Sequence, residues 1–276
     1  MSCPDCYSGH VHSGTPRGTI EKLHGLDTYV TQPSDATKPV KGIIVIIPDA
    51  FGWEFVNNRI LADNYADKGS YRVLLPDFMF GHAAPVWLLN SMKVVTGKDS
   101  SYLAKAWKIP GVVYGFASFL FFNRPGRRYP IVKAFFRALR AANPEMHVGA
   151  AGFCWGGKHT VLLAADPEMT VDSGKPLIDC GFAGHPSMLS IPGDIEKMHR
   201  PVSFACPEND PQVSLAQAEI IKKIVEGRTG ESRGEVVVYE NCGHGFCVRA
   251  DTTNDDVARQ AAEAEDQCIR WMQSHF

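Results

Sequence analysis

The stretch Met146-His147-Val148-Gly149-Ala150-Ala151-Gly152-Phe153-Cys154-Trp155-Gly156-Gly157-Lys158 decides how this chain is read. A short apolar run ends at Gly152, a single nucleophile-capable residue follows at Cys154, and two glycines lead into a segment of helical character. This is the G-x-C-x-G form of a nucleophile elbow, a sharp strand-to-helix turn that holds its central residue in a strained backbone conformation. Gly152 and Gly156 then carry no side chain because strand and helix backbones close on each other there. Such a turn leaves the Cys154 sulfur exposed at the top of a sheet and close to a helix N-terminus, where unpaired amides favour thiolate over thiol. Taken alone, the same letters also describe a buried structural cysteine beside a glycine-rich turn.

Downstream residues separate the two readings. An elbow nucleophile needs a base and an acid that orients the base, in the chain order nucleophile, acid, base. Residues 201–206, Pro-Val-Ser-Phe-Ala-Cys, read as a buried strand, and Pro-Glu-Asn-Asp-Pro follows with Asp210 in the loop. Asp210 is the expected acid, with Glu208 the near alternative. Residues 235–240 read as a last strand, and Asn-Cys-Gly-His-Gly-Phe after it sets His244 in a glycine-flanked loop. A histidine there takes the proton of Cys154 while Asp210 fixes its tautomer.

These residues resemble the dienelactone hydrolases of the α/β-hydrolase superfamily, particularly their fungal members. The resemblance covers roughly residues 15–275. Its carriers are Pro-Asp-Ala-Phe-Gly at 48–52, Gly-Phe-Cys-Trp-Gly-Gly at 152–157, Glu-Asn-Asp-Pro at 208–211 and His-Gly-Phe at 244–246. It implies an α/β-hydrolase fold, a triad of Cys154, Asp210 and His244, and an oxyanion hole made by the backbone N–H groups of Ala50 and Trp155. Asp49 stands where bacterial relatives carry a glutamate that interacts with the resting cysteine. Its shorter side chain leaves a loop carboxylate capping the next helix as an equal alternative. Phe51 joins Asp49 as an auxiliary pocket residue. Bacterial relatives hold the substrate carboxylate with an arginine shortly after the histidine. Here Arg249 is one residue further on, so it either clamps a substrate carboxylate or pairs with Asp251 or another surface acid.

Composition agrees. The chain has 276 residues, 45% of them hydrophobic and 21% charged, enough to bury a full core within one domain. A net charge of −2 argues against a dedicated nucleic-acid or membrane binder. The absence of an apolar leader-like segment, together with eight cysteines, reads as a cytoplasmic protein with free thiols. No G-x-G-x-x-G or Walker A pattern occurs, so no cofactor is expected, and no metal.

In chain order, residues 1–18 read as an irregular arm and 19–276 as a single domain. Cys3, Cys6, His10 and His12 tempt a zinc reading, but the His-x-His pair crowds such a site and no second C-x-x-C follows. Residues 19–31 suggest an edge hairpin, and 42–47 a strand buried on both faces. A helix over 57–68 stops at Gly69 in a C-cap role, a strand spans 71–75, and Asp77 closes it as a turn former. Residues 82–129 break the alternation and, with Trp87, Trp107, Tyr114 and several Phe, read as a helical lid or pocket wall. Arg124, Arg127 and Arg128 offer a basic cluster for an acidic substrate. A helix over 131–142 precedes the elbow, and a strand over 177–182 ends at His185, an auxiliary substrate contact. Ser214 and Gln217 form a capping box for a helix over 214–226, and a helix over 255–273 covers the sheet edge. The sum is about eight strands in a mostly parallel sheet with helices on both faces.

The expected chemistry is hydrolysis of a small ester or lactone, enol lactones such as dienelactone (to maleylacetate) foremost, through an acyl-thioester, by a monomer or homodimer. Two other classes stay open: an inactive binding protein on the same fold, and a thiol redox protein pairing Cys154 with Cys242 or Cys247.

Overall fold

The structure is a computed structural model and describes residues 10–96, 100–169, 174–251 and 253–276, so Cys3 and Cys6 lie outside the described residues. Its strands are β1 (Thr19–Leu23), β2 (Leu26–Thr31), β3 (Ile43–Ile47), β4 (Arg72–Pro76), β5 (Val148–Phe153), β6 (Cys180–Gly184), β7 (Val202–Asn209) and β8 (Glu235–Gly243). They form one sheet in the order β1-β2-β4-β3-β5-β6-β7-β8. The β1–β2 hairpin joins the sheet antiparallel to β4, and every pairing from β4 onward is parallel. The run Ile-Ile-Val-Ile-Ile of β3 is buried throughout, as a strand covered on both faces requires.

The helices are α1 (Val56–Gly69), α2 (Leu88–Thr96), α3 (Tyr102–Phe122), α4 (Pro125–Ala142), α5 (Trp155–Ala164), α6 (Gly193–Glu196), α7 (Leu215–Glu226), α8 (Phe246–Arg249) and α9 (Asp255–His275). α1, α8 and α9 pack together on one face, while α4, α5, α6 and α7 form a chain of contacts on the other. The protein is an α/β fold with a mostly parallel, doubly covered sheet.

Several boundaries differ from the sequence reading for local reasons. Gly69 is still helical; the left-handed residue is Ser70, at φ 61°. What Gly69 supplies is room, since a Cβ there would lie 2.1 Å from the Tyr71 ring. β6 begins at Cys180, three residues after the start of the apolar run at Leu177, which is buried outside the strand. α9 lies across β6, β7 and β8 on the sheet face and does not cap an edge. The expected capping box at Ser214 and Gln217 is present, and Asp77 accepts the amides of Met79, Phe80 and Gly81 as a turn former does.

The excursion is helical, but its aromatic residues divide. Phe116 and Phe119 enter the core, whereas Trp107, Tyr114 and Phe121 face solvent. Arg128 is buried, donating to Asn123 Oδ1 and the Met79 carbonyl, so it is no part of an exposed basic cluster. The arm's described residues pack on α1 and α8. His10 N donates to the Arg249 carbonyl, and Asn57 Nδ2 donates to both the His10 and Val248 carbonyls. His10 and His12 thus serve as packing contacts. Among the described residues no group of His, Cys, Asp and Glu has a metal-holding arrangement.

The feature that positions the site is the approach of α5 to the sheet. A Cβ on Gly156 would lie 1.9 Å from the Ile47 carbonyl oxygen, and one on Gly152 would lie 2.2 Å from the Gly156 oxygen. Neither obstacle is a flexible side chain, so relief requires separating helix from strands. Replacing Gly156 by Ala should therefore lower unfolding free energy by about 3–5 kcal/mol, the range of severe core lesions. A urea midpoint equal to wild type would show the approach to be looser than described.

Candidate active site

Between β5 and α5 the chain turns in one residue. Cys154 takes φ 51° and ψ −111°, a conformation in which a side chain is strained, and its amide donates to the Gly184 carbonyl. The sulfur is not exposed as the elbow alone would leave it: Cys154 is buried at 4% exposure, because the segment after β6 brings Ser187 against it. Its sulfur lies 3.6 Å from Ser187 Oγ, and Ser187 N donates to the Cys154 carbonyl. Ser187 was not singled out from sequence. Its only signal was its place two residues past His185 in Gly-His-Pro-Ser, after a strand end.

Asp210 and His244 arrive from adjacent strands. β7 runs on to Asn209 and β8 to Gly243, further than the apolar runs suggested, so each functional residue follows its strand directly. Asp210 Oδ2 lies 2.8 Å from His244 Nδ1, and Asp210 Oδ1 accepts the Gln212 amide. Both side chains are fully buried. Glu208, the alternative acid, instead accepts the Asn241 amide at the surface. Burial works against a charged His244. The Cys154 anion and the hydrogen bond that Asp210 accepts from His244 outweigh it and push His244 up to about 10. No nitrogen or oxygen pairs with His244 Nε2, which leaves the Cys154 sulfur as its neighbour.

The loop after β3 brings a second charged pair to the same place. Asp49 is fully buried and pairs with Arg249 Nη1, while its other oxygen accepts Asn58 Nδ2 and the Phe51 amide. It caps no helix; the N-cap of α1 is Phe55. Burial raises the Asp49 carboxyl and the nearby Cys154 anion adds to this, against the pull of Arg249. Arg249 meets the buried Asp49, and Asp251 meets His10. The short helix α8, not foreseen from sequence, explains its reach. Gly245 at φ 96° starts the turn, Arg249 N donates to the Gly245 carbonyl, and the guanidinium folds back into the space a Cβ on Gly245 would fill. The guanidinium carbon lies 5.2 Å over the Phe51 ring, which gives Phe51 its part in the pocket.

His185 completes the cluster. Its ring centroid is 5.0 Å from that of His244, edge to face, and neither ring nitrogen has a hydrogen-bond partner. Burial holds it neutral, with His244 and Arg249 adding to the effect. Ala50 lies in the loop after β3, and Trp155 N–H is the first of α5 and so without an intrahelical acceptor. The indole N–H of Trp155 donates to the Asn123 carbonyl at 2.6 Å. Cys242 and Cys247 are free thiols that burial pushes up, and the electrostatic neighbours of Cys247 are Cys242, Cys206 and Cys268.

Comparison with known proteins places this arrangement. Residues 26–276 match the sequence profile of the dienelactone hydrolase family. The chain belongs to that family. A hydrolase of Talaromyces stipitatus named tropI is 25% identical over 276 residues, covering 100% of this chain and 96% of the relative. Dienlactone hydrolase 1 of Gibberella moniliformis is 26% identical, over 90% of this chain and 84% of that one. The carboxymethylenebutenolidase homolog of Rattus norvegicus is also 26% identical, over 99% and 97%. Among solved structures, a putative dienelactone hydrolase from Klebsiella pneumoniae superposes with a TM-score of 0.64 at 17% identity, covering 93% of this chain and 97% of its own. The likeness to the last shows the fold alone, that of the α/β-hydrolase superfamily. The dienelactone hydrolases are hydrolases of lactones and esters, and this chain is a hydrolase by membership. No helix among the described residues is long and apolar enough to cross a membrane.

The charge balance of this dienelactone hydrolase family member makes a measurable prediction. An anion beside an imidazole stabilises its protonated form, so the proton should be lost only as pH rises toward about 10. Cys154→Ala removes the larger of the two favourable charges and should lower the His244 midpoint. Imidazole nitrogen chemical shifts followed against pH give both values. Identical midpoints in wild type and Cys154→Ala would mean the sulfur carries no charge beside His244.

Proposed function

We propose that the protein hydrolyses small esters or lactones by covalent catalysis at Cys154. The observation that carries this is the placing of His244 between the Asp210 carboxylate, at 2.8 Å, and the Cys154 sulfur. In this reading Cys154 and His244 rest as a thiolate-imidazolium pair, and the thiolate attacks the substrate carbonyl. Carbonyl π electrons move onto oxygen, where the amides of Ala50 and Trp155 hold the charge. Collapse of this intermediate expels the alcohol or enolate and leaves an acyl-thioester. Once His244 has given its proton to the leaving group, it takes one from water. Hydroxide adds to the thioester, and the acid product departs as the Cys154 thiolate returns.

An enol lactone such as dienelactone suits this arrangement, giving maleylacetate. Its leaving group is a stabilised enolate that departs with little acid assistance, whereas an amide needs early protonation of a poor leaving group. Support for an acidic substrate comes from Arg249, a buried cation aimed at the same cluster. A substrate carboxylate competing for Arg249 displaces Asp49, whose freed carboxylate then lies where it influences the Cys154 thiol. His185, neutral and with both ring nitrogens unpartnered, supplies an uncharged polar contact to a substrate oxygen.

Hydrolysis of dienelactone, p-nitrophenyl acetate and a benzo-fused lactone by wild type, Cys154→Ala and Arg249→Met tests the reading. Cys154→Ala should lose at least about a thousandfold in kcat with every substrate, as nucleophile deletions do. Arg249→Met should raise KM about tenfold or more for dienelactone only, the loss expected for one charged hydrogen bond. Full activity in Cys154→Ala overturns the covalent mechanism. Equal effects of Arg249→Met on charged and neutral substrates overturn the carboxylate clamp alone.

A further inference from the structure

Helix α3 carries two apolar faces and needs only one for the fold. Its inner face is spent: Phe116 and Phe119 lie in the core, and Gly115 packs against Leu88 of α2. The outer face holds Tyr102, Leu103, Trp107, Val113, Tyr114 and Phe121, at helical spacings that set them along one side. Tyr102, Trp107 and Tyr114 are 92%, 84% and 80% exposed. Scattered surface hydrophobics need no explanation, but a continuous stripe along a helix of 21 residues, about 30 Å at 1.5 Å per residue, does.

Charge decides what covers it. Residues 100–144 contain Lys and Arg but not one Asp or Glu, although the chain as a whole has net charge −2. Lys133, Arg137 and Arg140 of this segment are paired with Asp166, Glu168 and Asp179, and Arg128 is buried. Lys105 and Lys108 follow the spacing of the inner face, whereas Arg124 and Arg127 have no ion-pair partner among the described residues. Arg124 and Arg127 lie 5.8 and 5.9 Å over the Phe121 ring, at the end of the stripe. A second copy meeting this face would bring two sets of unpaired cations together. An anionic layer with an apolar interior meets both features, with the aromatic residues of amphipathic shape at its boundary.

We propose that the outer face of α3 docks on an anionic phospholipid surface, the apolar stripe entering the headgroup layer and Arg124 and Arg127, at its end, meeting lipid phosphates. The net charge that argued against a membrane binder averages over a chain whose positive charge is concentrated here. α3 ends at Asn123, whose carbonyl accepts the Trp155 indole N–H, so the docked helix finishes beside the elbow. The proposal does not depend on the covalent mechanism.

Co-sedimentation of the full chain with vesicles of phosphatidylcholine, alone or mixed with phosphatidylserine, tests it. The protein should pellet with the phosphatidylserine vesicles, less with neutral ones, and progressively less as salt rises. Trp107→Glu should abolish pelleting while keeping the wild-type melting temperature, since the side chain is 84% exposed. Arg124→Gln with Arg127→Gln should weaken the partition coefficient roughly fivefold per cation while leaving the stripe intact. Wild type remaining in the supernatant overturns the proposal, as does equal, salt-independent pelleting with neutral vesicles. Concentration-dependent self-association abolished by Trp107→Glu, without vesicle binding, would assign the face to a second copy and overturn it too.

Discussion

The contact on which the rest depends is backbone on backbone. α5 approaches β3 and β5 so closely that the Gly156 Cα looks directly at the Ile47 carbonyl, with no space for a methyl group between them. That closeness forces the chain to reverse within Cys154, which accounts for its positive φ. It also sets the thiol at the carboxyl ends of the parallel strands, where β3, β6, β7 and β8 deliver Asp49, His185, Asp210 and His244. A sheet of parallel strands gathers its exits along one rim, and a ligand site forms most readily there. The strain in one residue is thus repaid in convergence of five.

The electrostatics of the rim are internally balanced. Two acids, Asp49 and Asp210, face one permanent cation, Arg249, and one conditional cation, His244, with the sulfur between them. Burying such pairs is expensive, and apolar replacements of similar volume are frequently no less stable. The two unpartnered nitrogens of His185 add a further cost of about 1–3 kcal/mol for each buried polar atom left unsatisfied. A fold selected for stability alone would not collect these groups in one place. Their concentration next to Cys154, a buried nucleophile in a strained conformation, is not what packing alone requires.

The sequence made the sheet legible because parallel strands buried on both faces are written as unbroken apolar runs, and 42–47 is one of them. It made the elbow legible because only glycine satisfies the close approach. Asp210 and His244 stand out as a candidate pair from their order and from the strands before them, and the structure brings the two together. What stayed hidden depends on contacts between distant segments. Nothing local to Arg249 shows that the turn from Gly245 folds its guanidinium back to Asp49, roughly two hundred positions earlier in the chain. Ser70 takes the left-handed conformation although the neighbouring glycine is the obvious candidate; the glycine is required instead because the Tyr71 ring occupies the space where its Cβ would be. The aromatic run of 102–122 reads equally as core, pocket or surface, since periodicity reports that a face exists and not what it meets.

The arm ties the two ends of the chain to the pocket. Asn57 uses one side-chain amide to hold both the His10 and Val248 carbonyls, and its Oδ1 accepts the His12 amide, while His10 N grips the Arg249 carbonyl from behind. The loop that carries the buried guanidinium is therefore backed by a strap that begins some two hundred and forty residues away and belongs to no regular element. Evolution can alter the pocket without touching any residue that lines it, by changing how this strap lies. Two relatives with identical rims and different arms would hold their arginines in different places, and their substrate preferences would diverge with the segment of sequence least constrained by the sheet.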